Sequence, residues 1–167
     1  MEILSSPVPE RIELINALTQ TGRELSTATV LFHTAMAEQF GLNATDWKCA
    51  DIVSRMGPLT AGELAELTGL TTGAITGVID RLEQAGFTRR ERDPQDRRKV
   101  IIQSLTDREQ EVYERFGSLR EGYAELLSSY SDQELAFILE YMTRSVAVMQ
   151  EATARLRAKG TSASSQQ

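Results

Sequence analysis

The stretch 61-AGELAELTGLTTGAITGVIDR-81 decides how the rest of the chain is read. Leu64, Leu70, Ile75 and Val78 are spaced so that two short helices can cross at a steep angle, and Ala65 is small where they would touch. Gly69 falls in the intervening turn, where a left-handed backbone is needed. Six positions agreeing at fixed offsets predict a helix-turn-helix. On its second helix Ile75, Val78, Ile79 and Leu82 form the core stripe, which leaves Thr72, Gly73, Thr76, Gly77 and Asp80 outward.

Two glycines one turn apart inside a helix cost roughly 1 kcal/mol each relative to alanine, so their smallness has a use. In one reading a bare backbone and short hydroxyls let the helix sit deep in the DNA major groove, with Thr72 and Thr76 at base edges, methyls or phosphates. In the other the glycines accommodate a neighbouring helix.

The segment that follows carries the opposite charge to the chain as a whole. Residues 89–99 hold six of the 18 Lys and Arg of a protein whose net charge is −6. Residues 81–99 carry seven basic and four acidic side chains, a net +3, which leaves −9 for the remainder. A basic arm on an acidic body suits local contact with phosphate. FTRRER (87–92) and KVIIQSL (99–105) are the strand signals, and Asp93-Pro94-Gln95-Asp96 between them suits a type I turn. A hairpin directly after a helix-turn-helix makes a wing.

Further out, capping boxes mark helix starts at 60-TAGE-63, 106-TDRE-109 and 131-SDQE-134, and plain Thr caps stand at Thr45 and Thr71. With an N-terminal helix from about Glu10 to Phe40, six helices are expected. Val112, Phe116, Leu119, Tyr123, Leu126 and Tyr130 form one apolar stripe, continued by Leu135, Ile138, Met142, Val146, Met149 and Leu156. Ile15, Leu18, Leu25, Phe32 and Met36 make a looser one. Single-striped helices need partner helices, from a second copy or within a monomeric bundle.

The expected organisation is mainly α: a dimerisation helix over 10–44, a winged lobe with a two-stranded wing over 45–105, dimerisation helices over 106–159, and a disordered tail over 160–167.

Several function classes are excluded. The N-terminus lacks a signal pattern and no apolar run approaches a membrane span, so a soluble cytoplasmic protein is expected. Cys49 and His33 are single, so one chain offers neither a disulfide nor a Cys/His metal site, and no cofactor is expected. Without a phosphate loop or nucleophile elbow the chain does not read as an enzyme. The remaining alternative to DNA binding is a winged-helix adaptor for protein partners, which needs no arginine-rich wing.

The run from Leu59 to Thr106 resembles the DNA-binding lobe of the MarR family of bacterial regulators, on the strength of 81-RLEQAG-86, the wing 93-DPQDRRKV-100 and Leu105-Thr106. The resemblance implies a homodimer on double-stranded DNA, with two winged lobes on half-sites of a pseudo-palindromic operator. It implies a repressor released by a small, often aromatic, effector. It places Thr71, Thr72, Gly73, Thr76 and Gly77 at the groove, and Arg98 in the minor groove with its fork held by Asp96. Arg97 and Lys99 would meet phosphates or solvent, and Arg92 is expected among the DNA-binding residues. Arg81 either contacts a phosphate or pairs within the fold. An effector would meet Phe32, His33, Met36, Phe40 and Trp47, residues that are equally suited to a core. Cys49 does not match the reactive cysteine of the family's redox-sensing branch and is expected to be buried.

Overall fold

The computed structural model describes residues 10–164. Seven helices and three short strands follow in the order α1 (Arg11–Gln39), α2 (Ala44–Met56), β1 (Leu59–Thr60), α3 (Ala61–Thr68), α4 (Thr72–Gln84), β2 (Thr88–Arg92), β3 (Val100–Ser104), α5 (Thr106–Arg115), α6 (Gly117–Ser128) and α7 (Asp132–Ser164). The chain divides into two compact units, Met1–Val112 and Tyr113–Gln167.

In the first unit α3 and α4 are the expected pair. The Thr60 hydroxyl caps Glu63 N–H, and the Glu63 carboxylate accepts from Thr60 N–H at 2.7 Å. These bonds hold the Glu63 carboxyl below its ordinary pKa, so its contribution to the cap is present above the usual carboxylate range and is lost as pH falls through the lowered value. Gly69 ends α3 at φ 72°, the left-handed conformation that the turn demands. The Thr71 hydroxyl accepts from Ala74 N–H and starts α4. Leu64, Ile75, Val78, Ile79 and Leu82 are buried together with Val53 of α2 and Ile102 of β3.

The sheet has order β1-β3-β2, antiparallel throughout, with Leu59 opposite Ile102 and Arg90 on the other side of it. The third strand, β1, adds to the two expected. Pairing with the free edge of β3 makes two residues extended that carry no alternation of their own.

The wing turn differs from expectation. Seven residues, 93–99, separate β2 from β3, and the hydrogen-bonded turn is Asp96 to Lys99, where Lys99 N–H donates to Asp96 C=O at 2.8 Å. Asp93 makes a side-chain turn instead, its carboxylate accepting from Gln95 N–H at 2.8 Å. An Asp side chain can stand in for a backbone turn and competes with it locally.

Three helix boundaries also move. Asn43, not Thr45, caps α2: its side chain accepts from Asp46 N–H, and Asp46 reaches back to Asn43 N–H. Asn outranks Thr as a cap, and the Asn43–Asp46 spacing closes the reciprocal box. The helix expected over the first C-terminal stripe is broken at Phe116 into α5 and α6, because Gly117-Ser118 is a weak pair at which helices bend. The third change is at the tail: α7 runs through Ser164 into the segment expected to be disordered, where no proline stops it. Residues 165–167 lie outside those described, as does the Glu109 side chain of the expected box at Thr106.

The second unit contains the end of α5 with α6 and α7. Ser131 and Glu134 cap α7 reciprocally as expected. Tyr123 and Leu126 of α6 and Phe137, Met142, Val146 and Met149 of α7 are exposed in the single chain. Among the described residues no helix is long and apolar enough to cross a membrane.

Candidate nucleic-acid interface

The outward face of α4 is the one read from the sequence. Thr72, Gly73, Thr76 and Asp80 are exposed and Gly77 is half-buried. A Cβ added at Gly73 would meet nothing within 4 Å, and one at Gly77 would meet only Nη1 of Arg81, at 3.4 Å. Among the described residues of the single chain no neighbouring helix requires the glycines, which favours the other of their two explanations. Thr76 donates its hydroxyl to Thr72 C=O at 3.0 Å, so its methyl and a lone pair remain turned outward.

The basic stretch sorts into two groups by what each cation touches. Arg90 of β2 donates to Asp80 at 2.6 Å and to Glu83, both on α4, while its own N–H donates to Glu83 Oε1 at 2.7 Å. Arg89 pairs with Glu91. Arg90 thus attaches the wing to α4, whereas Arg89 neutralises a neighbour on its own strand. At the tip Arg97, Arg98 and Lys99 are exposed and form no salt bridge among the described residues, although the Lys99 charge acts on the Glu63 carboxylate. Arg92 donates to Arg97 C=O at 3.2 Å and braces the tip from within. The positive charge available to a partner therefore lies on these three consecutive side chains and on the neighbouring Arg92.

Asp96 acts differently from its expected role. Its Oδ1 accepts from the backbone N–H of Arg98 at 3.1 Å, so it fixes the backbone that carries the arginine and not the guanidinium fork. A carboxylate two residues before a backbone N–H closes a small ring that competes with the longer reach to the side chain.

Arg81 pairs within the fold. Its Nε donates to Asp46 Oδ2 at 2.8 Å and its Nη2 to Oδ1 at 2.7 Å, a fork on a carboxylate that is completely buried at the start of α2. Breaking a buried pair costs on the order of 3–5 kcal/mol, and a guanidinium that is about half exposed puts this one toward the low end. Sequence reasoning had no signal for Asp46, which reads as an ordinary helix-start acid.

Of the five residues suggested for an effector, Met36 and Trp47 are buried, and Phe40 stacks on Trp47 at 5.7 Å while Phe87 meets both edge-on. The Arg108 guanidinium lies 6.0 Å from the Phe40 ring centre and 5.8 Å from that of Phe87. Phe87, which the sequence offered only as a strand residue, thus completes an aromatic core. Phe32 and His33 are half-buried, with ring centres 6.0 Å apart.

Cys49 is buried as expected, at 1% exposure. Burial first, and then the adjacent Asp46 charge, push its thiol up to about 11. A raised pKa keeps the folded thiol neutral, so the stability it confers is full below pH 9, the ordinary value, and falls as pH rises toward 11. Burial and the raised pKa both lower its reactivity, the first by access and the second by thiolate fraction. Maleimide or disulfide reagents will accordingly label the native protein at least about tenfold more slowly than the urea-unfolded chain. Equal rates would contradict the burial.

Comparison with known proteins covers nearly the whole chain. The family model described as the MarR family matches residues 42–100. The uncharacterized HTH-type transcriptional regulator YcgE of Bacillus subtilis is 44% identical over 147 residues, which is 88% of this chain and 96% of that protein. The transcriptional regulator Tm0710 of Thermotoga maritima superposes with a TM-score of 0.57 at 26% identity, over 83% of this chain and 98% of that one. A MarR family protein of Bacillus stearothermophilus shares the fold with a TM-score of 0.61 at 24% identity, over 88% and 99% of the two chains.

Proposed function

Because the chain belongs to the MarR family of transcriptional regulators, we propose that this DNA-binding protein acts as a homodimeric repressor on a pseudo-palindromic operator and is released by a small aromatic effector. The observation that carries the reading is the pairing of a small, polar, unobstructed α4 face with three exposed cations at the wing tip that form no salt bridge among the described residues. A helix stripped to Thr and Gly can approach base edges closely, and a guanidinium suits the narrow, negative minor groove beside it. In this reading Thr71, Thr72, Gly73, Thr76 and Gly77 face the major groove, Arg98 the minor groove, and Arg97 and Lys99 the phosphates. Arg92 and Asp96 shape the tip, and Arg81 serves through Asp46. Selection from a random duplex library at about 150 mM salt, where non-specific phosphate binding fades, tests it. The expected product is an inverted repeat with half-sites about one helical turn apart. Recovery of no preferred sequence by folded dimer would refute it.

The dimer is supported by apolar surface that the single chain leaves bare. Ile15, Leu18 and Leu25 on α1, and Met142, Val146 and Met149 on α7, are all at least half exposed, a spacing that a second copy would cover. Light scattering is expected to give twice the chain mass. Val146→Glu, which sets a charge in that stripe, should yield monomer and with it lose operator binding at nanomolar protein. A Val146→Glu chain that stays dimeric would move the interface elsewhere.

For the effector, the reading retains Phe32 and His33, which are half-buried with ring centres 6.0 Å apart. Titrating the operator complex with aromatic carboxylates should release the protein. His33→Ala should weaken the release without changing operator affinity.

A further inference from the structure

The Asp46–Arg81 pair is more than α2 needs for its own start. The boxes that start α3 and α7 rest on Glu63 and Glu134, both exposed, whereas Asp46 performs the same local task with none of its surface accessible. Burial of a carboxylate is unfavourable unless something in the interior needs it, and here both of its oxygens meet Arg81, 35 residues away on α4.

Apart from Asp80 and Glu83, which Arg90 ties to the wing and not to α2, the contacts that bury α4 are apolar. Ile75, Val78, Ile79 and Leu82 bury area without strong direction, so by themselves they tolerate small rolls of the helix about its axis. A two-bond guanidinium–carboxylate fork does not tolerate them, because both bonds need one plane and one distance. Gly77 belongs to the same arrangement. It lies one turn before Arg81, and the lack of a side chain there leaves room for Nη1 to lie back along the helix, 3.4 Å from the position a Cβ would take.

We infer that Arg81 is a positioning residue, which through the buried Asp46 fixes the roll of α4 on α2 and so decides how Thr72, Gly73 and Thr76 meet the bases. The inference rests on the reading of α4 as the helix that enters the groove. It differs from a phosphate contact in what it predicts for salt and for sequence preference. A phosphate contact supplies affinity for any duplex and releases counterions. A positioning pair leaves the counterion count alone and supports discrimination.

The test uses full-length dimer, the selected operator, and a scrambled duplex of equal length, with binding scored per folded dimer from stoichiometric titrations. Asp46→Asn, Arg81→Gln and their double variant are each expected to lower the ratio of operator to scrambled affinity by about tenfold, the scale of one misread base pair. The double variant should fall no further than the worse single. The slope of log affinity against log salt stays at the wild-type value in all three. Arg81→Lys keeps the charge and loses the fork, so it should behave like Arg81→Gln, and it decides the matter if Asp46→Asn does not fold. An Arg81→Gln protein that weakens on both duplexes equally, with a slope lower by about 0.9, would make Arg81 a phosphate ligand and overturn the inference. Unchanged ratios with only a lower melting temperature would overturn it too, leaving the pair a stabilising element. Wild-type protein that does not prefer the operator would instead refute the reading of α4 itself.

Discussion

Arg98→Ala lowers operator affinity by about ten- to a hundredfold, the range for losing one arginine contact worth 1–3 kcal/mol, and leaves the fold intact. The side chain is exposed at the wing tip, and its charge meets no carboxylate among the described residues, so its removal strands nothing inside the protein. Its desolvation on binding is also modest, since a guanidinium is weakly hydrated and gives up few bonds to enter the groove. Circular dichroism and melting temperature should match the wild type, and the salt slope should fall by about 0.9. Arg90→Ala provides the contrast. Arg90 is tied to Asp80 and Glu83, so its loss frees two acids beside the interface and loosens the wing, and a lower melting temperature accompanies the weaker binding. If Arg98→Ala binds as tightly as wild type while Arg90→Ala does not, the tip is not the contact and the wing acts only through its attachment to α4.

The contrast between those two arginines marks where the sequence stopped being informative. Both lie in the same run, and charge counting treats them alike, because which of two neighbouring cations finds an acid depends on strand alternation and on a helix packed across it. Arg90 shares the sheet face of Ile102 beneath α4, whereas the tip residues belong to no face. The helix-turn-helix was legible for the opposite reason. Its requirements are local: the apolar spacing of Leu64, Ile75 and Val78, a left-handed Gly69 and a Thr71 cap are each satisfied within a few residues, so they can be read without the fold. β1 was not legible, being two residues long and extended only because β3 offers an edge. Asp46 belongs with β1. Within α2 it is one of two acids, with Asp51, and its distinction comes from an arginine 35 positions later. The Asn43 start and the break at Phe116 fall between these cases, since both signals were present in the sequence but a neighbouring Thr and a continuous apolar stripe obscured them.

Gly73→Ala raises stability and lowers operator affinity. The two effects have opposite signs and separate causes. In the free protein the new methyl meets nothing, and because Gly73 is the second residue of α4, alanine keeps only part of its advantage of about 1 kcal/mol in a helix interior, which corresponds to a melting temperature higher by up to about 2 °C for a chain of this size. In the complex, if α4 sits deep in the groove, the same methyl must push the helix away from the bases or clash with them, and a loss of at least about tenfold is expected, since close contacts at the base edges are worth 1–3 kcal/mol apiece. Gly77→Ala separates the two sites of action. Gly77 is in the helix interior, where alanine's advantage is full, but its methyl would meet Arg81 Nη1 at 3.4 Å, so part of that gain is offset and any loss in binding combines groove contact with a disturbed fork. Thermal unfolding and operator titration on the two variants give four numbers. Gly73→Ala that is stabilised and binds unchanged would mean that α4 never approaches closely enough to need a glycine, and the groove reading would lose its strongest physical support. Stabilisation together with weakened binding would show that a locally unfavourable helix residue is retained because DNA, and nothing in the protein, requires the space.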